Sequence, residues 1–133
     1  MTKALTRILV VDDQPGVRAV ICLALKTGGY EVVGVDGATA AIQEFENCHF
    51  DVAIVDIFMP GMDGAKLIKV LRARSPDLPV IAISGVPLKA SGRTALDFLA
   101  MAPQLGKVVC LQKPFKPPAL LEAVQQALGA HAA

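Results

Sequence analysis

The stretch Arg7–Pro15, RILVVDDQP, decides the reading of the fold. Arg7–Val11 is a short apolar, β-branched run of the kind that forms a strand buried on both faces. Asp12 and Asp13 end it abruptly. Pro15 then suits the first turn of a helix, where its missing N–H costs nothing. Pro15–Thr27 places Val17, Val20, Ile21, Ala24 and Leu25 at helical spacing, and Gly28-Gly29 supplies the stop. The stretch is therefore a strand and a helix joined at an acidic corner.

The same unit recurs outward along the chain. Glu31–Val35, Val52–Val55, Pro79–Ile83 and Lys107–Leu111 read as further strands. Ala38–Asn47 reads as a helix with Ala41, Ile42 and Phe45 on one face, and Ala65–Ala73 as another with Leu67, Ile68 and Leu71 inward. A Gly-, Pro- and Ser-containing stretch, Gly85–Gly92, precedes a helix at Thr94–Met101. The last helix, Pro118–Leu128, buries Leu120, Leu121, Val124 and Leu128. Strand then helix, five times over, predicts an α/β fold: a five-stranded parallel sheet with helices on both faces. No repeat, low-complexity tract or linker interrupts it. Only Gly129–Ala133 follow the last helix, so residues 1–133 are expected to form a single domain with no output domain.

Composition narrows the function classes. The chain has 133 residues, 53% of them hydrophobic and 19% charged, which suits a folded domain with a real core. A formal net charge of +1, with no basic run, argues against direct nucleic-acid binding. With no Trp and one Tyr, a base-stacking platform is not expected either. No apolar stretch approaches the roughly 20 residues of a membrane helix, and the N-terminus lacks a signal-peptide pattern. Cys22, Cys48 and Cys110 are odd in number and widely spaced, so neither a disulfide framework nor a zinc site is expected and a cytoplasmic location is the default.

In an open α/β sheet, ligands bind beyond the carboxyl ends of the strands. Those ends carry Asp12-Asp13, Asp56, Ser84 and Lys113-Pro114, while Asp36 drops out if its strand lies at an edge. Three carboxylates in one crevice repel one another at neutral pH. A hard cation relieves that repulsion, and Mg²⁺ accepts a few carboxylate oxygens while keeping positions open for a phosphoryl oxygen. With Lys113 as a point charge and Ser84 as a hydroxyl donor, the set suits a transferring phosphoryl group. Asp56 is the candidate nucleophile, because a carboxylate can accept a phosphoryl group as an acyl phosphate.

The series Asp12-Asp13, then Asp56 followed by Met59-Pro60-Gly61-Met62-Asp63-Gly64, then Ser84, then Lys113-Pro114-Phe115, resembles the receiver domains of two-component response regulators from Arg7 to Leu128. The resemblance implies a flavodoxin-like strand order, 2-1-3-4-5. It implies that Asp56 takes a phosphoryl group from a phosphohistidine of a histidine kinase or phosphotransfer protein. Asp13, Asp56 and the backbone carbonyl of Phe58 would coordinate Mg²⁺, with Asp12 holding it directly or through water. Lys113, followed by a cis peptide to Pro114, would bind the phosphoryl oxygen, and Ser84 would report its arrival. Output would pass by protein–protein contact through the fourth helix, fifth strand and fifth helix to a downstream target that the sequence does not name.

Two features depart from the family pattern. The usual aromatic switch position, three residues before the lysine, is Cys110, and the segment from Ser84 to Lys113 is longer than usual. We expect Gly85–Gly92 and the helix after it to carry the signal in place of the aromatic.

Each residue also has a local reading. Asp13 can cap the helix at Pro15, Asp63 can cap the next, and Ser84 can bond locally. His49 and His131 read as exposed, Cys22 as core packing, Cys48 as a residue near a helix end, and Lys66, Lys69, Arg72 and Arg74 as a solvated helix face. Other functions on the same scaffold are a phosphorelay shuttle to a second histidine or a constitutive binding module. A magnesium phosphatase lacks its D-x-D after the first strand. Beyond its own phosphorylation and dephosphorylation, no enzyme activity is expected.

Overall fold

The computed structural model describes residues 5–59, 62–84 and 108–132. The strands are β1 (Arg7–Val11), β2 (Glu31–Val35), β3 (Val52–Asp56), β4 (Phe58–Met59), β5 (Met62–Asp63), β6 (Val80–Ser84) and β7 (Val108–Gln112). The described helices are α1 (Pro15–Thr27), α2 (Ala38–Asn47), α3 (Gly64–Arg74) and α4 (Pro117–Ala132). Five strands form one parallel sheet in the order β2-β1-β3-β6-β7, which is the 2-1-3-4-5 order that the resemblance implies. The ribbon β4–β5 is antiparallel and pairs Phe58 with Asp63. The expected loop Gly85–Gly92 and helix Thr94–Met101 lie outside the described residues, as does the side chain of His131.

Strand alternation splits the core in two. On one face Leu9, Val11, Ala53, Val55, Val80 and Ala82 pack with Ala41 of α2 and Leu67, Ile68 and Leu71 of α3. On the other, Ile8, Val10, Val52, Ile54, Ile81 and Ile83 pack with Ile21 and Leu25 of α1 and Leu120 and Val124 of α4. Each fully buried aliphatic side chain is worth about 1.5–3 kcal/mol. β1, β3 and β6 are buried on both faces.

Helix α1 buries Ile21 and Leu25, while Val20 is turned away from that stripe and is 61% exposed. Two expectations need correcting. The last helix does not stop at Leu128 but runs through Gly129 to Ala132. One glycine costs about 1 kcal/mol in a helix, which the alanines around it tolerate. Arg72 is not on the solvated face: its Nε and Nη2 donate to the Leu78 carbonyl at 3.2 and 3.0 Å. It ties the end of α3 to the turn before β6, and burial pushes its guanidinium pKa down. Arg74 pairs with Glu46 of α2 at 2.9 Å. The Gly28-Gly29 stop is present, with Gly29 at φ +95 and the Tyr30 N–H donating to the Leu25 carbonyl at 3.1 Å.

Candidate functional site

Parallel strands bring their carboxyl ends to one edge of the sheet. Among the described residues, the buried polar ones are Asp12, Asp56 and Ser84, and all three lie at that edge. Asp12 follows β1, Asp56 ends β3 and Ser84 ends β6. β6 pairs Ser84 with Gln112, and the next residue, Lys113, donates its N–H to the Ser84 carbonyl at 2.7 Å. The Lys113–Pro114 peptide is cis. From there the Lys113 side chain reaches back across the crevice. Its Nζ lies 3.0 Å from Asp56 Oδ2, 3.1 Å from Asp12 Oδ2 and 3.5 Å from Gln14 Oε1.

Asp12 is held at several atoms. Its N–H donates to the Val35 carbonyl at 3.1 Å, its carbonyl accepts from Arg18 Nη1 at 2.7 Å, and its Oδ1 accepts from the Gln14 N–H at 2.9 Å. The carboxylate serving the start of α1 is therefore Asp12. Gln14 is the N-cap residue and has no side-chain cap, so the capping reading of Asp13 is not realised. Asp36 follows edge strand β2, is exposed and stays outside the cluster. Phe58 lies two residues beyond Asp56 in β4, which places its backbone beside the cluster in sequence, while its side chain and that of Asp63 are outside the description. Cys110 is exposed on β7 opposite Ala82, Cys22 packs against the α1–α4 core, and His49 is exposed within 3.1 Å of Asp51.

One oxygen each from Asp12, Asp13 and Asp56 come within 4.8 Å of one another. Asp12 Oδ2 is buried, and among the described residues the Lys113 ammonium stands 3.1 Å from it. One lysine does not offset three clustered carboxylates, and an oxygen-seeking divalent cation lowers the cost of burying them. The donor set thus fits Mg²⁺. Burial works against the Lys113 ammonium, but hydrogen bonds from it to Asp56 and Asp12 and their negative charge outweigh burial, so its pKa is raised. The lysine stays charged at any physiological pH. The site therefore combines a clustered carboxylate set with the Lys113 ammonium, an arrangement for gathering and neutralising the oxygens of an anionic group.

Two site residues were not legible as such in the sequence. Arg18 reads as an ordinary helix residue, and only the fold brings its guanidinium to Asp12. Gly64 reads as part of a turn, yet a Cβ there would stand 2.5 Å from Ile57 Cα and 2.8 Å from the Asp56 carbonyl oxygen. Helix α3 begins pressed against the backbone that carries Asp56, and only glycine permits that approach.

The comparisons with known proteins agree with this geometry. The family model for the response regulator receiver domain matches residues 8–125. The response regulator protein FleR of Pseudomonas aeruginosa is 38% identical over 124 residues, covering 92% of this chain and 25% of that protein. The transcriptional regulatory protein FixJ of Bradyrhizobium diazoefficiens is 30% identical, covering 91% of this chain and 56% of that protein. This chain spans about a quarter of the length of FleR and of two other curated relatives, DctD and AtoC. A CheY-like receiver domain protein from Methanospirillum hungatei superposes with a TM-score of 0.83 at 27% identity, covering 97% of this chain and 98% of that one. Chemotaxis protein CheY4 of Vibrio cholerae gives 0.81 at 29% identity, covering 94% and 100%. By its sequence, its strand order and its neighbours, this chain belongs to the receiver domain family of two-component response regulators.

Proposed function

We propose that this chain is a phosphorylation switch whose acceptor is Asp56. The observation that carries the reading is the Lys113 ammonium standing between Asp56 and Asp12, with Asp13 completing the carboxylate cluster. A carboxylate oxygen of Asp56 attacks the phosphorus of a phosphohistidine, the P–N bond breaks, and the imidazole nitrogen keeps the electron pair. The donor is a histidine kinase or a histidine phosphotransfer protein. Asp12, Asp13, Asp56 and the Phe58 carbonyl hold Mg²⁺, which when bound offsets the charge of the phosphoryl oxygens and the carboxylates. Lys113 then exchanges its carboxylate partner for a phosphoryl oxygen, and the Ser84 hydroxyl donates to another.

These exchanges link chemistry to signalling. A full switch from about 1:99 to 99:1 needs roughly 5.5 kcal/mol of differential stabilisation. New contacts from Lys113 and Ser84 to the phosphoryl group exist in one state only, which is the property a switch requires. The signal leaves by protein–protein contact, with edge strand β7 and α4 as the adjoining surface. Residues 1–133 act in this reading as one receiver domain in the cytoplasm, where the three free cysteines stay reduced. No membrane-spanning helix is present among the described residues. The chain turns over only its own phosphoryl group.

The test is intact-mass measurement after incubation with Mg²⁺ and phosphoramidate. The wild-type chain gains the mass of one phosphoryl group, and Asp56→Asn does not. An undiminished adduct on Asp56→Asn would remove Asp56 from the role.

A further inference from the structure

We infer that Arg18 is a positioning residue for the acidic site, holding the Asp12 main chain so that Asp12 Oδ2 is presented to a divalent cation. The inference rests on the Mg²⁺ reading above and adds to it a residue outside the carboxylate cluster. Arg18 Nη1 donates to the Asp12 carbonyl at 2.7 Å, a short charge-assisted bond spanning six residues from helix to strand end. Its contact is with the carbonyl, so it orients the residue without occupying a carboxylate oxygen that a cation needs.

The Arg18 stem has a seat built for it. Gly34 of β2 lies under Arg18, and a Cβ at Gly34 would stand 3.3 Å from Arg18 Cγ and 3.4 Å from Cδ. The neighbouring residue in β2, Val35, accepts the Asp12 N–H. The helix thus reaches Asp12 over the same strand that holds its other side. With the N–H, the carbonyl and Oδ1 all engaged, one rotational setting of the carboxylate is fixed. The buried Oδ2, paired in the metal-free chain with the Lys113 ammonium at 3.1 Å, is the carboxylate oxygen left to face a divalent cation. Groups that orient a metal ligand commonly change affinity tenfold or more when removed.

The experiment titrates Mg²⁺ alone into the metal-free chain and reads its dissociation constant from backbone amide shifts. The variants are Arg18→Met, which keeps an apolar stem on Gly34, and Arg18→Lys, which restores a charged donor. Arg18→Met weakens Mg²⁺ binding by about tenfold, with the amide pattern of the core strands retained, and Arg18→Lys recovers part of the loss. An unchanged constant in Arg18→Met overturns the inference. So does an Arg18→Lys no better than Arg18→Met, because the effect is then packing and not the bond to Asp12. If the wild-type chain binds no Mg²⁺, the site reading itself fails and this inference falls with it.

Discussion

The Lys113 ammonium lies 3.0 Å from Oδ2 of Asp56, although the two residues are 57 positions apart in the chain. The contact exists because parallel pairing of β3 with β6 and of β6 with β7 sets both strand ends at one height. In the resting protein this lysine neutralises part of a carboxylate cluster that has more negative than positive charge. Its raised pKa has a defined consequence for stability. A cation held above its ordinary value of 10.5 contributes fully below that value and loses its contribution as pH rises through the raised one. Lys113→Met is therefore less stable than wild type without metal, by a margin that stays flat between about pH 6 and 9. Urea unfolding at several pH values checks this, and a margin that varied across neutral pH would place the stabilisation elsewhere.

Charge imbalance also predicts a gain. Asp13 is only partly buried and adds a third negative charge beside Asp12 and Asp56. Asp13→Asn should raise metal-free stability by about 1 kcal/mol through reduced repulsion. In wild type, Mg²⁺ at about 100 times its dissociation constant adds roughly 2.7 kcal/mol. The asparagine variant should gain far less from the same Mg²⁺. Thermal unfolding with and without Mg²⁺ measures both effects.

Gly64 tests how tightly the acceptor strand is held. A methyl group there meets Ile57 and Asp56 backbone, which cannot swing aside as a side chain can. Gly64→Ala should cost about 1–3 kcal/mol, the usual range for overpacking. It should also slow phosphorylation by a small-molecule donor, since the displaced atoms adjoin Asp56. Equilibrium unfolding and the rate of mass gain report the two consequences separately.

The two donations of Arg72 to the Leu78 carbonyl give a local stability prediction. Arg72→Ala should destabilise by about 1.5–3 kcal/mol, as expected for a hydrogen bond from a charged donor. Lys69→Ala, an exposed position on the same helix, should stay within about 0.5 kcal/mol of wild type. Phosphorylation at saturating donor should be unchanged in both.

What was legible in the sequence follows from which forces are local. The bounds of β1, α1, β2 and α2 match the apolar runs and their stops, because periodicity and turn residues report on them directly. β6 begins and ends one residue later than its run suggests, and β7 runs one residue further, to Gln112, since cross-strand pairing sets strand ends. Asp12, Asp56, Ser84 and Lys113 could be picked out by reading only the carboxyl ends of strands, where topology concentrates chemistry. Arg18, Gly64 and Arg72 could not. Their roles depend on a carbonyl six residues away, on a backbone that crosses beneath a helix, and on a turn after α3. No single-residue pattern carries that information.

The central claim is that Asp56 carries the phosphoryl group, and the most direct measurement locates it. After reaction with Mg²⁺ and phosphoramidate, borohydride reduces an aspartyl phosphate to homoserine, which tandem mass spectrometry places in the peptide map. Homoserine at position 56, and at no other aspartate, is the predicted result. Homoserine at Asp12 or Asp13 with Asp56 intact would contradict the account.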